Sequence, residues 1–223
     1  MSGFISDSAF NRLTNLDNVE WGIVEFLARS NSKYANYLWK ILAYSTEDCL
    51  TQPEVPYANR IALVYKNNGE ATTGHRVFIT PFIDDSWEDQ AAMLNIYVES
   101  IKPVDHIKSN VQVAFECVVH NKISNILGDA SKFNPDTNPA ELQGNQILIP
   151  YKSRATTLLK STIAALNGNF VNGVGVMQFN SKIQNVNEDA ARASLWNGKK
   201  FFGFKFTMST IMAGDSEHAD CGW

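Results

Sequence analysis

Apolar residues recur at three- and four-residue steps in the first quarter of the chain and at two-residue steps from Arg60 onward, a change from helical to strand period. In "NVEWGIVEFLARSNSKYANYLWKILAY" the spacing of Trp21, Val24, Leu27 and Ala28, then of Tyr34, Leu38, Ile41 and Leu42, predicts two short helices. They break near "RSNS", and Asn18 or Asp17 caps the first. "STEDCLTQPEVPYAN", with two prolines, predicts an ordered loop. "RIALVYKNNGEATTGHRVFITPFI" holds two apolar runs around a turn-rich centre and predicts a hairpin with a long tip. "MLNIYVESI" sets Leu94, Ile96 and Val98 against Asn95, Tyr97 and Glu99. "VQVAFECVVH" sets Val111, Val113, Phe115, Cys117 and Val119 against Gln112, Ala114 and Glu116. Both read as strands with one buried face, and the short "KPVDHIKSN" between them makes them an antiparallel pair.

"GDASKFNPDTNPAELQGNQILIP" then interrupts the pattern with Gly, Asn, Asp and Pro, as an interaction loop, a lid or a disordered segment would. "YKSRATTLLKSTIAALNG" places Leu158, Leu159, Ile163, Ala164 and Leu166 on a helix stopped by Asn167 and Gly168. "GVGVMQF" and "FFGFKFTMST" predict two last strands, separated by a polar linker with room for a short helix. In the final strand Phe202, Phe204, Phe206 and Met208 share a face that packs on the helix over 153–166. Phe201, Gly203, Lys205, Thr207 and Ser209 form a second face of polar and small residues, suited to a channel or a neighbouring subunit. The order of elements predicts an α+β fold, an antiparallel sheet packed by one main helix with an N-terminal helical extension. The expected division is a helical extension over 1–58, an α+β domain over 59–212 with a long loop at 128–150, and a polar tail over 213–223.

At 223 residues the chain is long enough to hold a core without disulfides or metal. Charged residues make up only 19% and the net charge is −4, so the basic field that would hold nucleic acid through its phosphates is missing. The start "MSGFISDSAFNRL" lacks a basic segment followed by an apolar run, and no stretch approaches the length of a membrane span. A soluble chain without membrane contact, made in the cytosol, is expected. Three widely spaced cysteines, Cys49, Cys117 and Cys221, read as reduced thiols, Cys117 in the core.

Several clusters invite chemistry. "ECVVHN" brings Glu116, Cys117 and His120 together, but alternation turns Cys117 away from the other two, which favours a satisfied histidine at a strand end. "DSEHADC" gathers Asp215, Glu217, His218, Asp220 and Cys221 without a second cluster to frame a metal, which favours a solvated tail. Asp84, Asp85, Glu88 and Asp89 in "FIDDSWEDQ", with Glu99 and Lys102, suggest a magnesium-dependent nuclease. Alternation sets Glu99 and Lys102 on opposite faces, against that reading, and an acidic turn capped by Asp85 or Ser86 is favoured. "GEATTGHR" and "GNFVNGVGVM" miss the residues a phosphate loop needs, and four histidines assemble no Ser/His/Asp set. The expectation is no enzyme and no cofactor.

"HRVFITPFIDDSWEDQAAMLNIYVESIKP", "VQVAFECVVHNKI", "SRATTLLKSTIAALNG" and "GKKFFGFKFTMST", together covering 76–210, resemble the neck and tail-completion proteins of tailed bacteriophages, in the order of the tail-terminator group. The motifs are patterns of apolar and turn residues. The resemblance implies a small α+β subunit, six of which close into a ring that caps the tail tube and joins it to the head-side neck. Its partners would be copies of itself, other neck, tail-tube or sheath proteins, and DNA only as it passes through the channel; its place would be the virion. The long 128–150 insertion and the N-terminal helices depart from a minimal terminator and leave open an adaptor position in the neck or baseplate. The interface residues expected are Phe82, Asp84, Asp85 and Trp87 in "PFIDDSW", Phe133 to Leu142 in the long loop, Lys205 on the last strand, and the tail to Trp223. The competing expectations are a metal-dependent hydrolase or nuclease centred on Asp84, Asp85 and Glu99, and a monomeric binding domain.

Overall fold

A computed structural model of the chain describes residues 16–66, 71–80, 89–104, 108–128, 151–179, 191–196 and 200–213. Helices α1 (Val19–Arg29), α2 (Lys33–Ala43) and α3 (Tyr57–Ala62) come first. Strands β1 (Val77–Phe78), β2 (Ala92–Pro103), β3 (Lys108–His120), β4 (Asn125–Leu127) and β5 (Tyr151–Ser153) lead to helix α4 (Arg154–Leu166). Strands β6 (Phe170–Val171), β7 (Gly175–Val176), β8 (Gln178–Phe179), β9 (Ala191–Trp196) and β10 (Phe201–Ala213) follow.

The main sheet runs β1-β2-β3-β10, and β9 and β8 lie end to end along the remaining edge of β10. Only β1 is parallel to its neighbour; the other pairings in this sheet are antiparallel. The expected β2–β3 pair forms, from Ala92 opposite Val119 to Pro103 opposite Ser109. The last strand joins it along its whole length, Phe201 opposite His120 and Ala213 opposite Lys108. The fold is α+β, a mainly antiparallel sheet with helices against one face.

One hydrophobic cluster links the helices to that face. It runs from Val19, Ile23 and Leu27 on α1 through Leu38, Trp39 and Ile41 on α2 to Leu94, Phe115, Cys117, Leu158, Phe206 and Met208. Each fully buried large apolar side chain contributes about 1.5–3 kcal/mol. Phe202 and Phe204 pack against the same cluster, so the even positions of β10 do turn to the helices. The buried stripes are shifted by about a residue from the periodic reading. Trp21 and Tyr34 are exposed while Ile23 and Trp39 are buried, and on α4 Ala165 replaces Ala164 on the inner face.

Three segments differ from expectation, the shortest being "GVGVMQF", which is two strands and not one: β7 pairs with β6 and β8 with β10. The run after Arg60 forms no antiparallel hairpin: 57–62 is helix α3, and Val64 bridges Val77 in parallel. Pro56 at the N-cap presets φ for a helix, and Arg60 is held from α3 by the backbone it must reach. Its guanidinium donates to the carbonyls of Val55, Ala28 and Ser30 at 2.7, 3.0 and 2.9 Å and to Asn36 Oδ1 at 2.5 Å, closing the end of α1. The polar linker before the last strand holds strand β9 at 191–196, since β10 offers an edge that a helix there would leave unpaired. A second buried arginine, Arg154, ends α2. It donates to the carbonyls of Ile41, Tyr44, Ser45 and Thr46 at 3.4, 2.7, 3.2 and 2.6 Å and to Ile123 at 2.8 Å. These carbonyls include orphans of the α2 terminus, where a cation is also favoured by the helix dipole.

Candidate functional site

The face of the sheet turned away from the helices carries the polar residues that alternation excludes from the core. Register sorts them into rows across β2, β3 and β10: Met93–Val118–Gly203, Asn95–Glu116–Lys205, Tyr97–Ala114–Thr207, Ser100–Gln112–Ser209 and Lys102–Asn110–Ile211. On β9, Arg192 stands opposite Lys205.

The first rows are closed. Phe78, Met93, Val118 and Phe201 form a second, smaller apolar cluster, and His120 meets the Phe201 ring edge-on at 5.0 Å. Burial, and after it Lys122 and Lys200, lowers the His120 pKa. Its Nδ1 accepts from the Lys122 N–H at 3.1 Å, so it is a satisfied strand-end histidine on the face opposite Cys117, as alternation requires. Cys117 itself is fully buried beside Thr162, 3.7 Å away, and burial pushes its thiol up to about 12.

The middle row is a buried polar network. Glu116, only 6% exposed, accepts from Asn95 Nδ2 at 3.0 Å and from the Tyr97 hydroxyl at 2.9 Å. Asn95 Oδ1 is buried without a partner. Lys205 donates to Glu99 at 2.8 Å and lies 5.4 Å from the Tyr97 ring centroid. The Glu99 carboxylate, and after it the Tyr97 hydroxyl, holds Lys205 well above the ordinary lysine range. Glu99 stands on this face by the same alternation as Asn95 and Tyr97, and a bulge there turns Ser100 and Lys102 to it as well. The register shifts between Val98 and Ser100, so β2 gains one residue, and Lys102 lies on the same face beyond it. Simple alternation, which sets Glu99 and Lys102 on opposite faces, fails at this point for that reason.

The distal rows are open. Lys102, Lys108 and Ile211 are exposed, Ile211 to 61%, and Ser100, Gln112, Thr207 and Ser209 are half-buried, with Ser100 donating to Gln112 at 2.8 Å.

Of the interface residues expected from the sequence, Lys205 belongs to this face. Phe82, Asp84, Asp85, Trp87, Phe133, Leu142 and Trp223, with the acidic tail, lie outside the described residues. Glu99, the third carboxylate of the metal reading, is engaged by Lys205. Asp89 lies 3.5 Å from Arg76. Among the described residues no three His, Cys, Asp or Glu side chains converge as metal ligands would. The Asn95–Tyr97–Glu116 network is visible in the sequence only as three polar residues on one face; joining them takes the register between strands. On the helical side, two shallow clefts of about 540 and 430 Å³ flank Arg29, one lined by Glu54, Pro56, Tyr57 and Arg60, the other by Gly22, Phe26 and Asn172.

Layers, register and polar face together define an α+β protein whose helices cover one side of a mixed sheet and whose other side is half closed and half open. The sequence model of the YomW family matches residues 35–210, from within α2 to within β10, and the chain belongs to that phage-associated family. No curated protein and no solved structure matches it.

Proposed function

We propose that this chain is a structural protein of a phage particle, a subunit that joins copies of itself in a ring at the end of the tail and docks on neighbouring neck or tail proteins. The observation that carries the reading is the open half of the sheet. Ser100, Gln112, Thr207 and Ser209 make it polar, Ile211 adds exposed apolar surface, and among the described residues its charges are few: Lys102, Lys108 and the Lys205–Glu99 pair. Such a mixture suits a contact surface between subunits, where charged residues thin out toward the centre. The phage-associated family supports the setting, and the resemblance of 76–210 to tail-terminator proteins supports the ring, six-membered in that group. In this reading the protein has no catalytic task, is made in the host cytoplasm and ends in the virion, with DNA only passing by.

The test is made on particles. Mass spectrometry and electron microscopy of purified virions are expected to find the chain at the neck or tail end, and Ser209→Arg, which places bulk and charge on the open face, is expected to yield folded protein that no longer enters particles. Absence of the wild-type chain from virions would sink the reading.

A further inference from the structure

Two long edges bound the main sheet, and they are treated differently. On the β10 side the edge is taken by β9 and β8. On the β2 side, β1 pairs only with Leu94 and Asn95. Beyond Asn95 no described strand pairs with that side of β2, although the strand runs on to Pro103. An unpaired run of this kind is a template for another chain.

One side chain reaches into the gap. The Glu20 carboxylate, from the first turn of α1, accepts a hydrogen bond from the Val98 N–H at 3.0 Å, across 78 residues of sequence. Leu94 N–H points toward the same outer side, where it donates to the Arg76 carbonyl at 2.9 Å, so Val98 offers the donor that a docking strand would take after β1 ends. Immediately beyond, the bulge at Glu99 bends the strand out of register, and Pro103 has no N–H to offer. Among the described residues, the stretch between β1 and the bulge is where regular pairing on this edge could start, and Glu20 occupies its Val98 donor.

We propose that Glu20 is an edge guard: by holding the Val98 N–H it keeps β2 from pairing with β2 of a second copy. A carboxylate suits the task, because a charge-assisted bond to a backbone N–H is stronger than the neutral one a strand would offer in exchange. The device governs unwanted association through this edge and is independent of the ring contact proposed above, which uses the open face.

The experiment is made on purified full-length protein by light scattering across a concentration series, with hydrogen exchange at Val98. Glu20→Ala is expected to raise the mass at high concentration to at least twice that of the wild-type species. Its Val98 amide should exchange faster than wild type in dilute solution and regain protection on association. Glu20→Gln, which keeps an acceptor without the charge, is expected to associate more than wild type and less than Glu20→Ala. Glu20→Ala with Val98→Pro, which removes the donor, is expected to lose the added association. Should Glu20→Ala fail to fold, Glu20→Asp makes the same comparison, since it keeps the charge and withdraws the carboxylate by one methylene. An unchanged mass for the guard-free variant at every concentration, or association that survives Val98→Pro, would overturn the proposal. Neither outcome bears on whether the chain enters virions.

Discussion

Cys117 shows how one buried atom ties stability to pH. Its thiol lies in the core between β3 and α4, and burial holds it neutral up to about 12. In the unfolded chain the same thiol ionises near an ordinary value of about 8.5. The folded pKa is raised and the favoured folded form is the neutral one. Its contribution is therefore complete below about 8.5 and is lost as pH climbs from there toward 12, because only the unfolded state releases the proton in that window. Chemical denaturation of wild type is expected to show stability falling with pH above about 8.5, and Cys117→Ala is expected to flatten that slope while lowering stability at neutral pH through the small cavity it leaves. The same burial makes the folded thiol unreactive toward alkylation at pH 8, a result read directly by mass spectrometry.

Between elements, β10 runs tightly alongside β3 at Gly203. A Cβ on Gly203 would run into the Cys117 carbonyl oxygen, a backbone atom that cannot step aside. Gly203→Ala is expected to cost about 3 kcal/mol in urea unfolding, at the upper end for an added methyl in a packed site. It should also separate β3 from β10, seen as faster amide exchange along both strands. At this scale much of the fold was legible. The period of two in β2, β3 and β10 gave both their existence and their inner faces, and Asn167 with Gly168, at φ +75°, marked the end of α4. What the period could not supply was anything set by a distant partner. Asn18 stands at the N-cap of α1 without a side-chain cap bond, whereas Ser32 and Ser153 cap α2 and α4 by accepting from Ala35 and Thr156. The run from Arg60 looked like a strand from its apolar residues, but Pro56 and the pull of Arg60 toward the end of α1 made its first residues, to Ala62, the close of a helix. The bulge at Glu99 left no local signature, since nothing in "NIYVESI" distinguishes a regular strand from one that gains a residue. For the candidate face, Lys205 and the polar alternation were legible, while the bond from Tyr97 to Glu116 waited on register.

Across the whole molecule, the helical layer and the sheet share one cluster from Val19 to Met212. A chain shortened to 57–223 would expose apolar residues of β2 and α4, such as Leu94 and Leu158, on the side where α1 and α2 now pack. It is expected to lose near-UV circular dichroism and dispersed amide resonances, as an opened core does. Retention of both would show that the sheet and α4 suffice. The two buried arginines carry this interdependence into the order of synthesis. The carbonyls that Arg154 closes at the end of α2 lie 108 to 113 residues upstream of it. On the ribosome, α1 can find its Arg60 early, but α2 must wait with its last turn unfinished until most of the chain has emerged. The N-terminal helices are thus made first and completed late, and a nascent chain stalled before Arg154 would carry a helix with a frayed end.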